Sequence, residues 1–300
     1  MAENTGAPLG SRYEVSDGAM LLHRSGTGGP PVVFLAGGGM SGLYYWNVHN
    51  LVAEFTTSVI YDRLGTGWSD VVDLPRSGTQ VTDDLHELLR AAAVPGPYVL
   101  VGHSLGGLYA RLYAKRFPGD VAGAVLLDPT HEDIVDYLTE EKAQRLRDSN
   151  TDDPLPPEQL DPMRAAYRTT FGRALAAWPA EIREPLLDQG FSREGYRQSL
   201  REPMNLPRLF GEVRDAGPEP GVPLIFVSAM GTDTFAEELV PPEAHASLAE
   251  SNQTKHRLYT DLAAALPRAR VRRLDDAGHS GIAWLRPDAV VQAIRDTLSH

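Results

Sequence analysis

The chain has 300 residues, 42% hydrophobic and 23% charged, a globular balance that excludes disorder, collagen and coiled coil as its overall class. Its 40 acidic against 28 basic residues give a net charge of −12, which speaks against a nucleic-acid partner, because phosphate binding needs clustered Lys and Arg. The lack of cysteine excludes disulfides, thiolate metal sites and a cysteine nucleophile. The first twenty residues carry no basic start followed by an apolar run, and no stretch reaches the ~20 apolar residues of a membrane span, so a soluble cytoplasmic protein is expected.

Short apolar runs bounded by Gly, Pro or Asp recur through the first half, each of a length suited to a buried strand. The first is 32–36, followed by Gly37, Gly38, Gly39 and then Tyr44, Tyr45 and Trp46. Residues 58–61 form the second, and Val81, Leu85, Leu88 and Leu89 then mark one face of a helix. Residues 98–101 and 124–127 are the next strands, separated by a helical stretch over 108–117. Strand alternating with helix predicts an α/β fold with a mostly parallel sheet covered on both faces.

From residue 131 to about 220 the strand pattern stops, and helical pieces at 161–177 and 193–210 surround a Pro-rich loop at 152–157. Strands resume at 223–228 and 270–274, and a helix bearing Ala289, Val290, Ile294 and Leu298 closes the chain. Residues 1–130 and 221–300 therefore read as one core, with 131–220 as a helical insertion.

The chemistry concentrates at Gly102-His103-Ser104-Leu105-Gly106, a GxSxG turn between a strand and a helix. Side chains at 102 and 106 would collide with the adjoining strand and helix, which explains the two glycines and marks Ser104 as a nucleophile. A serine hydroxyl needs a base to take its proton. Of nine histidines, only His279 follows the last predicted strand; His103 is read as packing, and the others show no paired metal spacing. The orienting carboxylate is Asp128, ending the strand before the insertion, or Asp233, in the loop before a short helix at 236–239; chain order suits both. Leu105 and Gly38, with Gly39 as the alternative, are the expected backbone donors to an oxyanion. The glycine run at 37–39 lacks both the phosphate-loop GK[ST] and a complete GxGxxG, so neither cofactor nor metal is expected.

With these residues in order, the chain resembles the α/β-hydrolase superfamily over nearly its whole length. Residues 62–69 look like its DxxGxGxS turn, and Gly278-His279 followed by Arg286-Pro287 resembles its histidine loop. Residues 62–70, 95–114 and 126–133 together are similar to a bacterial subgroup of esterase-like hydrolases. In that subgroup the acid after the sixth strand recurs, and haloalkane dehalogenases draw an acid from the same 24-residue separation, so the resemblance favours Asp128 over Asp233. It implies hydrolysis of a carboxylic ester, lactone or thioester of a small, largely apolar molecule. The alternatives are a cyclase or acyltransferase of secondary metabolism, or a small-molecule binding protein. One departure stands out: Ala36 replaces the histidine of the usual HG pair. The insertion is expected to cover the site as a cap, with Tyr137, Tyr167, Phe171, Trp178 and Met204, together with Tyr44, Tyr45 and Trp46, as candidates for lining the substrate pocket.

Overall fold

A computed structural model describes residues 6–148, 156–239 and 245–299. Eight strands form one sheet: β1 (Ser11–Val15), β2 (Gly18–Ser25), β3 (Val32–Leu35), β4 (Ser58–Tyr61), β5 (Tyr98–His103), β6 (Val121–Leu127), β7 (Leu224–Ala229) and β8 (Ala269–Leu274). Their spatial order is β1-β2-β4-β3-β5-β6-β7-β8, with β1 and β2 antiparallel to their neighbours and the rest parallel. Helices α1 (Trp46–Ala53), α2 (Gly78–Ala91) and α3 (Leu105–Arg116) connect the first parallel strands. Five more lie between β6 and β7: α4 (Glu140–Asp148), α5 (Pro157–Ala174), α6 (Ala180–Gly190), α7 (Arg193–Arg201) and α8 (Leu206–Asp215). Then come α9 (Thr234–Leu239) and α10 (His245–Ala265) before β8, and α11 (Ile282–Leu285) and α12 (Pro287–Leu298) after it. No helix among the described residues is long and apolar enough to cross a membrane.

The central strands carry apolar residues on both faces because both are covered. Val33, Leu35 and Leu100 point toward α2, α3, α8 and α10, where Leu88, Leu112, Phe210 and Tyr259 are buried. Val32, Phe34, Val99 and Val101 point the other way, toward Val48 and Val52 of α1 and Val290 and Ile294 of α12. Alternation at a period of two thus assigns each residue to one of two cores.

Register then positions the site. Leu35 of β3 and Leu126 of β6 both pair with Gly102 of β5, so these three strands end level with one another. The glycine run after β3, Ser104 after β5, Asp128 after β6 and the loop after β8 therefore gather along the carboxyl edge of the sheet.

Two sequence expectations change. The 193–210 piece is two helices, α7 and α8, because Asn205 takes a left-handed conformation (φ 70°) and Pro207 follows at the start of α8, where it cannot continue a helix from behind. The β1–β2 hairpin is an addition: β1 is half-exposed and has no apolar run, whereas β2 carries the short buried run Ala19-Met20-Leu21-Leu22, which was not singled out by sequence. Most of the Pro-rich loop, residues 152–155, lies outside the described residues.

Candidate active site

Ser104 sits between β5 and α3 with φ 52° and ψ −122°, a region a side-chain-bearing residue adopts at a cost of roughly 1–3 kcal/mol. Its surroundings hold it there: its amide donates to Leu127 O at 3.1 Å, and its carbonyl accepts from Thr130 and Gly107 N–H groups, each at 2.9 Å. The flanking glycines are a steric requirement. A Cβ on Gly102 would lie 2.5 Å from Gly106 O, and one on Gly106 would lie 2.1 Å from Leu35 O.

The Ser104 hydroxyl is 3.1 Å from His279 Nε2, and His279 Nδ1 is 2.6 Å from Asp128 Oδ2. Asp128 is fully buried and has a positive φ of 41° at the end of β6. Burial alone would raise its carboxyl, but the Lys255 ammonium of α10, which binds the same Oδ2, and the His279 hydrogen bond outweigh that and hold it well below the usual carboxylate range. Asp233 has another task. One of its oxygens caps α9 by accepting from Ala236 N–H at 3.1 Å, and the other accepts from Ser280 N–H at 2.8 Å, which fixes the loop one residue past His279.

His103 is nearer the site than its packing assignment implies. Its Nε2–H donates to the His279 carbonyl at 2.9 Å, and the two rings lie 4.9 Å apart. Burial, with the neighbouring His279 adding to it, pushes His103 down to about 3, so it supports the loop as a neutral ring.

The loop after β3 is held by a residue pair of which the sequence motifs contain only one member, Arg63, at an unspecified position of the 62–69 turn. Arg63, buried on the turn after β4, donates to Ala36 O and Gly37 O at 2.7 Å each and so ties this loop to the β4 turn. Its charge is met by Glu202, which follows α7, through Nε at 2.5 Å and the second terminal nitrogen at 2.9 Å, both side chains being 3% exposed. Glu202 also accepts the Gly39 N–H. The amide of Gly39, the alternative donor, is thus engaged by a carboxylate. Among the described residues the amides of Gly38 and Leu105 have no protein acceptor, and a Cβ on Gly38 would be 3.3 Å from the Leu105 side chain, so the two lie together. Only the position of Glu202 after a helix of the 131–220 segment, opposite an arginine far away in sequence, could have hinted at the pair. Glu202→Gln is expected to lower unfolding stability by about 3–5 kcal/mol, because it strips a buried guanidinium of its counter-charge; the urea midpoint measures this.

A cavity of about 230 Å³ opens beside the Gly38–Gly39 backbone, walled by Met40, Tyr44, Tyr167, Phe171, Phe191 and Tyr196. Of the expected lining residues, Tyr44, Tyr167 and Phe171 are there, and the Tyr44 and Phe171 rings meet edge to face at 5.4 Å. The others are elsewhere. Tyr45 packs beneath, against Phe34 and His103; Trp46 and Trp178 pack on each other at 5.4 Å; Tyr137 hydrogen-bonds Asp261 of α10; and Met204 lies in the turn between α7 and α8. Phe191 and Tyr196 were not singled out by sequence. They reach the cavity because α6 ends and α7 begins beside the glycine loop. The grouping of His131, Glu132 and Asp133 brings three potential metal donors within reach of one another, but Glu132 is ion-paired with Arg111 of α3 and His131 Nδ1 accepts the Asp133 N–H.

Comparison with known proteins agrees with this architecture. The putative carbamate hydrolase RutD of Cronobacter turicensis is 35% identical over 103 residues, 34% of this chain and 38% of that protein. The chain spans less than half the length of the curated relatives it matches first. Among solved structures, a thermophilic esterase from Thermogutta terrifontis aligns with a TM-score of 0.58 at 18% identity, covering 96% of this chain and 98% of that one. The enol-lactonase from Burkholderia xenovorans LB400 gives a TM-score of 0.63 at 18% identity, covering 96% and 100%. The alpha/beta hydrolase family model matches residues 32–293, and the chain belongs to that family.

Proposed function

We infer that the protein is a serine hydrolase that cleaves a carboxylic ester, lactone or thioester of a small, largely apolar molecule through an acyl-enzyme on Ser104. The observation that carries this reading is the unbroken hydrogen-bond chain from Ser104 Oγ through His279 to Asp128. Ser104 Oγ attacks the acyl carbon while His279 Nε2 takes its proton; Asp128 keeps the Nδ1–H tautomer and stabilises the imidazolium. The carbonyl oxygen becomes an oxyanion facing the amides of Leu105 and Gly38. His279 then returns its proton to the leaving oxygen or sulfur, which departs, and water activated by the same imidazole releases the acid. No metal is needed for these steps.

The helices between β6 and β7 act as a cap, and the aromatic cavity beside Gly38 takes the apolar part of the substrate. Its volume of about 230 Å³ lies below the ~300–1,000 Å³ usual for drug-sized ligands, which favours a short chain or a single ring. The names of an esterase, an enol-lactonase and a putative carbamate hydrolase among similar proteins are in keeping with acyl transfer. An acceptor other than water would make the same site an acyltransferase.

A panel of short p-nitrophenyl esters, lactones and thioesters, with fluorophosphonate labelling followed by peptide mass mapping, tests the proposal. Turnover and a single phosphonyl adduct on Ser104 are expected. Absence of both would end the serine-hydrolase reading.

A further inference from the structure

Asp128 Oδ2 accepts from two cations or potential cations at once. His279 Nδ1 approaches it at 2.6 Å, and the Lys255 ammonium of α10 binds the same oxygen. The remaining oxygen is poorly engaged, with the Ala229 amide at 3.4 Å and the Tyr259 hydroxyl at 3.5 Å, while Tyr259 donates its stronger bond to Pro129 O at 2.7 Å. The carboxylate charge that an imidazolium at His279 would draw on is therefore already shared with a fixed positive charge. Lys255 is well covered, its side chain being 18% exposed, so water does not fully screen it.

We propose that Lys255 is a positioning residue that acts through Asp128 to oppose protonation of His279, keeping the base in its working, neutral form to lower pH. The inference rests on the serine-hydrolase reading. A cation near the pair penalises the imidazolium by Coulomb repulsion, whereas the carboxylate favours it, and Lys255 offsets part of that carboxylate effect.

Other groups around His279 do not duplicate this charge. His103 faces it from β5 as a neutral, buried ring. Asp233, from the loop after β7, offers no cation and accepts from Ser280 N–H. Tyr259 of α10 is held neutral by burial, with the charge of Asp128 adding to that effect. On the loop of His279 itself, Asp275 pairs with Arg273 and Asp276 with Arg286, and His256 of α10 lies toward Asp275. Lys255 is thus the cation in direct contact with the acid.

The test is the pH profile of kcat/KM for the wild type, K255M, K255Q and K255R, each also scored for fluorophosphonate labelling at Ser104. In K255M and K255Q the acid limb is expected to move up by about one pH unit, so activity below the limb falls about tenfold while the plateau does not fall. K255R, which keeps the charge, should hold the wild-type limb. Labelled, active variants whose limb stays in place overturn the proposal, as does a shift in K255M that K255Q lacks, because that would reflect packing and not charge. A wild type that neither labels nor turns over ester refutes the underlying function instead, so the two failures are distinguishable. K255Q keeps a neutral N–H donor on the side chain and provides the readout should K255M fold poorly.

Discussion

With Ser104 replaced by alanine, kcat on the best ester of the panel is expected to fall by about 10⁶-fold, with little change in KM. The loss has to be this large because the alanine variant forms no acyl-enzyme, and His279 and Asp128 have no hydroxyl to activate. What is expected to survive is the backbone: amides at Leu105 and Gly38 would still polarise a bound carbonyl, which in serine hydrolases leaves a residual ~10³–10⁴-fold over the uncatalysed rate. Folding should be retained. The bonds that fix this turn run through the Ser104 amide and carbonyl, and the replacement leaves both in place. Coincident urea curves for the variant and the wild type, with loss of the fluorophosphonate adduct, separate lost chemistry from lost structure. A purified alanine variant that kept more than a few per cent of the activity would remove Ser104 from the mechanism.

The core of the fold was legible because its signals are local. β4 is bounded as the sequence predicts, and β3, β5, β6, β7 and β8 differ from expectation by one to three residues at an end, since each is a buried apolar run closed by Gly, Pro or Asp. Ser104 was readable for a similar reason: clashes within one turn dictate the glycines around it, and those glycines are adjacent in sequence. Arg63 and Glu202 were not. They are 139 residues apart, and nothing in the composition near either says that a helix from the β6–β7 segment will end over the glycine loop. The same applies to Lys255, on α10, whose first three turns are mostly polar and give no apolar stripe to announce a helix. The pocket aromatics divide on this line too. Tyr44 and Trp46 are two positions apart, yet one walls the cavity and the other packs on Trp178, an outcome decided by where the β6–β7 helices dock and not by the residues themselves. Asp128 and Asp233 could not be separated by order in the chain because both follow strands that end at the same edge; they differ in the direction each side chain takes, Asp128 toward His279 Nδ1 and Asp233 toward the Ala236 and Ser280 N–H groups.

That direction makes opposite expectations for the two acids. Asp128→Asn should lower kcat by about 10⁴-fold while KM changes little, because a neutral amide, whose oxygen the Lys255 ammonium also claims, no longer stabilises the imidazolium that forms when His279 takes the Ser104 proton. Asp233→Asn should cost less than about tenfold, since an amide oxygen can still accept from Ala236 or Ser280 N–H, and Asp233→Ala should add about 1 kcal/mol of lost stability through the cap of α9. Stability against pH gives a second, independent readout. The Asp128 carboxyl is held below its unfolded value of about 4, so its ionisation stabilises the folded state above that pH, and the contribution is lost as pH falls through the lower folded value. Asp128→Asn also leaves the Lys255 ammonium against a neutral amide, so the stability gap between wild type and variant should be widest near neutrality and close progressively below pH 4. Equal losses of kcat in Asp128→Asn and Asp233→Asn, or a stability gap that widens in acid, would mean that Asp128 is not the acid that orients His279.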